Sequence, residues 1–315
     1  MKTHEKLSYL GFFLAMIFLC VGPALQAQES ENSVADQVQA DIQAGHLDAA
    51  LDKAQIAVGQ YPHSSDLQQL LGIALFKKGL NQDALLAFRR AIECDPSVPQ
   101  NYFDVALVDL ADNRYPDAAK NLETSTRLDP TNAEAHLLLG RAYHNQNQTL
   151  PAIAQFQQAL ALNSTLPLAH YHLGFAYQSL GKLEAALAEY NQEIQINPRY
   201  PDVRWLAGNI ELKHGNLAAA KKLFREGVEL KPQAFEPHYG LGQVDIAEKH
   251  FEEAEEELLT ALRCNPHRVE VHFTLARAYQ QLGKKEAAEH EFHICATMHA
   301  QEENRSGIAG ATSHP

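Results

Sequence analysis

Residues 135–177 read AHLLLGRAYHNQNQTLPAIAQFQQALALNSTLPLAHYHLGFAY, and the segment AHLLLGRAY at 135–143 returns as AHYHLGFAY at 169–177, 34 residues on. Leu139 and Tyr143, then Ile153, Phe156 and Leu160, lie at helical spacings; so do Leu173 and Tyr177, then Leu187, Tyr190 and Ile194 in the next copy. Each copy therefore predicts two helices. The period continues in both directions: Pro62, Pro96, Pro130, Pro198, Pro232 and Pro266 are separated by 34 or twice 34, with Ser164 in the empty slot. Twelve residues before each slot stand Ala50, Ala84, Ala118, Ala152, Ala186, Ala220, Ala254 and Ala288. Twenty-four before it stand Val38, Gly72, Ala106, Gly140, Gly174, Gly208, Gly242 and Ala276, mostly small enough to let two helices approach closely. Seventeen before it come Gly45, Gly79, Asn113, Asn147, Gly181, Gly215, Lys249 and Gly283. Gly and Asn tolerate the left-handed conformation that ends many helices, so these residues predict the turn inside each pair, with Lys249 the departure. The proline then stops the second helix. Fixed self-similarity of this kind marks a solenoid.

Eight units follow: 31–64, 65–98, 99–132, 133–166, 167–200, 201–234, 235–268 and 269–302. The remainder, 303–315, is rich in Gly, Ser and Thr and predicts a disordered tail. The alanine, the aromatic at Phe156 or Tyr190 and the proline slot, following the segments quoted above, resemble tetratricopeptide repeats. The resemblance spans almost the whole chain after its leader. It implies an all-α, right-handed superhelical solenoid of helix pairs, with the first helix of each pair lining a concave groove. The end units depart from the pattern: Val34, Gln37, Val38 and Asp41 make a poor first helix and Ala300 replaces the last proline, as expected where a repeat faces water.

Lys2 and Lys6 precede an apolar run from Leu10 to Val21, broken by Gly22-Pro23 and followed by small residues up to Ala27. Residues 1–27 read as a secretory signal cleaved after Ala27; the run is too short for a span, which needs about 20 residues. The expected location is the periplasm or the extracellular space. Lys and Arg number 26 against 39 Asp and Glu, and an acidic surface with a formal charge of −13 repels a phosphate backbone, so no nucleic-acid partner is expected. Beyond the leader, Cys94, Cys264 and Cys295 are too few for a disulfide scaffold, and no CxxC occurs.

The resemblance maps groove-facing positions onto rows spaced by 34: Phe103, Leu137, Tyr171, Trp205, Tyr239 and Phe273 in the first, and Leu107, Arg141, Phe175, Asn209, Gln243 and Arg277 in the second. A third row contains His144, Gln178, Leu212, Ile246 and Gln280. Rings flanked by amides and arginines suit an extended peptide, although tyrosine also serves as inherited scaffold at the first-row position. Asp66, Glu134, Asp202, Glu236 and Glu270 recur near helix starts and could attract a basic ligand or simply offset a helix dipole. A lysine-based carboxylate clamp is not expected, since the lysine's place is aromatic or Leu.

His136, His170, His238 and His272 occupy the slot where the family usually packs a large ring, and read as core filler. His290, His293, Cys295 and His299 leave open metal or small-ligand sensing, but a polar outer face on the last helix explains them without a metal. No nucleophile elbow, HExxH or phosphate-cradling glycine loop occurs, and no catalytic residue, metal or cofactor is expected. The sequence thus predicts an exported, non-catalytic scaffold binding unidentified protein or peptide segments. The alternative is a structural module that self-associates through its end repeats.

Overall fold

The computed structural model describes residues 31–311, and among these the backbone is all helix and turn. The expected leader lies outside the described residues. Two compact units divide the chain, the first ending at Leu162 and the second starting at Asn163. In each, helices come in antiparallel pairs, a first (A) and a second (B) helix.

In the first unit the pairs are α1 (31–43) with α2 (Leu47–Gln60), α3 (Ser65–Lys77) with α4 (Asn81–Cys94), α5 (Pro99–Ala111) with α6 (Tyr115–Leu128), and α7 (Ala133–Asn145) with α8 (Thr149–Leu162). In the second they are α9 (Ala169–Ser179) with α10 (Leu183–Ile196), α11 (Pro201–Lys213) with α12 (Leu217–Leu230), α13 (Phe235–Glu248) with α14 (Phe251–Cys264), and α15 (Val269–Gln281) with α16 (Lys285–Ala311). Within a unit each A helix packs on its own B helix and on the B helix before it, and α11, α13 and α15 also touch in sequence.

Local chemistry explains each joint. All eight residues at the predicted turn inside a pair have positive φ, including Lys249 at 64°. Between pairs, the Asp or Asn before the proline slot accepts a hydrogen bond from the backbone two residues on: Asp95 from Ser97 (2.9 Å), Asp129 from Thr131 (2.9 Å) and Asn265 from His267 (3.2 Å). Asn163 accepts from Thr165 at 3.1 Å in the same way, so the turn survives with Ser164 in place of proline.

Small residues on A helices receive the large side chains of B helices. A Cβ on Gly140 would lie 2.5 Å from the Phe156 ring, and one on Gly208 2.5 Å from that of Phe224. Phe88, Phe156, Tyr190, Phe224 and Leu258 are buried there, each contributing about 1.5–3 kcal/mol.

The recurrent histidines are more than filler. Nδ1 of His170, His238 and His272 meets a B-helix carboxylate, Glu189 (2.6 Å), Glu257 (2.7 Å) and Glu291 (2.5 Å) respectively. Their Nε2 atoms face the carbonyls of Ser164 (3.3 Å), Pro232 (3.1 Å) and Pro266 (3.0 Å), in the joint before each repeat. His136 likewise meets Gln155 and the Pro130 carbonyl. At the same slot the Tyr102 hydroxyl donates to the Pro96 carbonyl. One side chain in each of these repeats thus ties its A helix to the joint behind it.

Two departures have clear causes. Helix α9 begins late, after Leu168 at φ 66°, and no side chain of its own caps it. Buried Glu193 from α10 accepts the backbone N–H groups of Leu168 (3.0 Å) and Tyr171 (3.4 Å) instead. At the other end, α16 runs through Ala300 and stays helical as far as Ala311. The earlier B helices end at the proline slot, and Ala300 supplies no such stop.

Candidate functional site

The three expected rows all lie on A helices, yet packing treats them differently in the two units. In the first, Phe103 and Leu137 are buried and offer a ligand little surface. Leu107, Arg141 and His144 are half-buried, and burial pushes the His144 imidazole down from its ordinary value. In the second unit Tyr171, Trp205 and Tyr239 are half-buried, while Phe273 is 49% exposed. Phe175 is also exposed, Gln178, Asn209, Gln243, Leu212 and Ile246 are half-buried, and Arg277 and Gln280 are open to solvent.

These rings are partly committed to the scaffold. Tyr171 stacks on Phe175 (6.4 Å between centroids) and meets Tyr200 edge-on (5.3 Å). Trp205 tilts against Phe224 (5.5 Å) and Tyr239 (6.3 Å), and Phe273 packs on Phe292 (5.8 Å). The amide of Gln243 donates to the Tyr239 hydroxyl (3.1 Å), and the Tyr190 hydroxyl donates to Gln178 (2.9 Å). So the ladder is neither bare recognition surface nor plain core: each ring buries one face.

Three of these rings, Tyr171, Phe175 and Trp205, gather at one place. A cleft of about 300 Å³ is lined by Tyr171 and Phe175 of α9, Pro201, Asp202, Trp205 and Leu206 of α11, and the stretch from Gly227 to Pro237 where α12 turns into α13. Lys231 and Glu236 lie on that stretch. The Tyr200 ring packs edge-on against Tyr171 beside this floor, and burial, together with its Tyr171 and Asp202 neighbours, pushes its phenol well above the usual value. An apolar floor with charged groups at its edge is suited to a side chain carrying both an alkyl stem and a polar head.

Sequence models of the tetratricopeptide repeat family match residues 36–99, 106–147, 140–181, 167–200, 211–268 and 269–292. The chain is a tetratricopeptide repeat protein. A search of curated proteins returns no match. Among solved structures it is similar to MamA, with 26% identity over 54% of this chain and 92% of MamA and a TM-score of 0.50. It also resembles YrrB, a tetratricopeptide protein with an unusual peptide-binding site: 20% identity, 58% of this chain, 95% of YrrB, TM-score 0.51. PilF of Pseudomonas aeruginosa shares the fold at 17% identity over 72% of this chain and 99% of PilF, with a TM-score of 0.59.

Within these tetratricopeptide repeats, sequence rows found Tyr171, Phe175 and Trp205 but missed Pro201, Leu206, Gly227, Lys231 and Pro237. One signal was available. At the 34-residue positions Ala57, Ala91, Ser125, Ala159, Glu193, Gly227 and Ala261, glycine occurs once, where the cleft is. A Cβ on Gly227 would stand 3.2 Å from that of Pro237.

Among the described residues, Asp245, Glu248 and His250 form a group close enough to share a cation. Lys221 already supplies it, with Nζ 2.7 Å from both carboxylates, which hold the ammonium above its usual pKa. Near the C-terminus His290 and His293 are exposed, while buried Cys295 turns its thiol toward the Val269 carbonyl. Cys94, Cys264 and Cys295 are free thiols. No helix among the described residues is long and apolar enough to cross a membrane.

Proposed function

We propose that this tetratricopeptide protein is an exported, non-catalytic scaffold that holds peptide or protein segments on its A-helix face and keeps partners together outside the cytoplasm, in envelope or secreted-protein assembly. The observation that carries the reading is the cleft in the second unit, where half-covered rings of Tyr171, Phe175 and Trp205 leave apolar faces open beside charged groups. Exposed aromatic faces grouped in a concavity are characteristic of recognition sites. YrrB, on the same fold, has a peptide-binding site.

Export rests on the basic start, the Leu10–Val21 apolar run and the small residues before Gln28. Of the two exported settings, the bacterial periplasm is the preferred one. N-terminal sequencing of protein purified from its source checks this: a start at Gln28 is expected, and a retained Met1 in the cytosolic fraction refutes export.

Binding is tested by placing a photo-cross-linking phenylalanine analogue at Phe175 or, outside the cleft lining, at Arg225. Adducts from position 175 and not from 225 are expected. Equal labelling from both would remove the cleft from the reading.

A further inference from the structure

We infer that the segment held in this cleft is an extended peptide that places an arginine side chain against Trp205 and between Asp202 and Glu236. The inference rests on the peptide-binding reading above and specifies its ligand.

Of the five first-turn carboxylates, only Asp202 and Glu236 line this cleft. Glu270 is engaged by Arg268 at 2.5 Å. Among the described residues neither Asp202 nor Glu236 forms an ion pair, and Lys231 is the one cation that shares their cleft. Each sits in the first turn of its own A helix, where it also offsets the helix dipole, and both belong to the lining of the same cleft.

Lys231 is the single cation in the lining, so the cleft keeps a net negative charge and disfavours an acidic segment. Its walls are Tyr171, Phe175, Trp205 and Leu206, which accept an alkyl stem. A guanidinium combines the three properties the site asks for: a flat face that stacks on an indole, donors that fit carboxylates, and a permanent charge. The formal charge of −13 draws such a ligand in from a distance.

Trp205 is the only tryptophan in the chain, so its emission reports on the cleft alone. The full chain is titrated with three pools of tryptophan-free nonapeptides. Flanking positions are randomised, and the central residue is arginine, its uncharged analogue citrulline, or glutamate. We expect the arginine pool to half-saturate the emission change at about tenfold lower concentration than the citrulline pool, with glutamate weaker still. Added salt should reduce the arginine advantage. A variant combining Asp202→Asn with Glu236→Gln should lose the advantage and keep its citrulline response.

Because the decisive comparison changes only the ligand, it does not depend on the variant folding. Equal affinity for arginine and citrulline pools would overturn the arginine assignment and leave peptide binding standing. If no pool alters Trp205 emission, the arginine assignment falls together with the cleft-based peptide reading.

Discussion

Single residues carry strain and charge that stability measurements can read. Lys249 takes the left-handed turn that glycine or asparagine takes in the other seven repeats. A side chain there costs about 1–2 kcal/mol, and glycine returns part of that through the entropy of the unfolded chain. Lys249→Gly is therefore expected to stabilise the protein by about 0.5–1 kcal/mol in urea unfolding; a loss of stability would contradict the assignment. His238 carries charge: the hydrogen bond to Glu257 raises its pKa, outweighing burial, with the Pro232 carbonyl adding to the rise and Arg263 opposing it. Since the folded pKa lies above the unfolded one, the pair's contribution is complete below about pH 6.5 and fades as pH climbs through the folded value. The urea midpoint of the parent should exceed that of His238→Gln most at acidic pH, with the gap closing toward alkaline pH. A gap constant with pH would show that the ring acts by packing alone.

At the level of elements, the helix-pair contact is tight enough to be tested. Gly140→Ala pushes a methyl group to 2.5 Å from the Phe156 ring and should cost about 1–3 kcal/mol by thermal unfolding. The third repeat holds Ala106 and Leu122, both fully buried, at the equivalent positions. Adding Phe156→Leu should therefore recover much of the loss, and a double variant as weak as the single would refute this pairing. The close approach was legible in the sequence because the small residues recur at a fixed offset inside each repeat; the ring that each receives was not. The turns were legible for the same reason at the seven Gly and Asn positions; Lys249 departs from that pattern in type, yet takes the same positive φ. What neighbouring repeats do to a side chain was not legible: Phe103 and Trp205 share a row, yet one is buried and the other half-open. Glu193 gave no local sign that it would cap α9, because its partners lie 22 and 25 residues back. The cleft depends on residues from α9 through α13, so its lining could not be read from any one period.

Over the whole molecule, two compact units and contacts limited to nearby helices predict unfolding that is not all-or-none. Trp205 emission follows the second unit alone, whereas far-ultraviolet circular dichroism follows every helix. The two transitions in urea are expected at different midpoints, and their coincidence would mean one cooperative block. A last consequence comes from Gly227. Alanine fills the corresponding place at Ala159 and Ala261, both fully buried, whereas a Cβ at 227 would stand 3.2 Å from that of Pro237. A methyl group at 227 would therefore press on Pro237 and reshape the cleft wall to which both residues belong. A lineage carrying such repeats can therefore alter the shape of this cleft by a single carbon atom, at a position outside the helix-pair contacts that hold each repeat together.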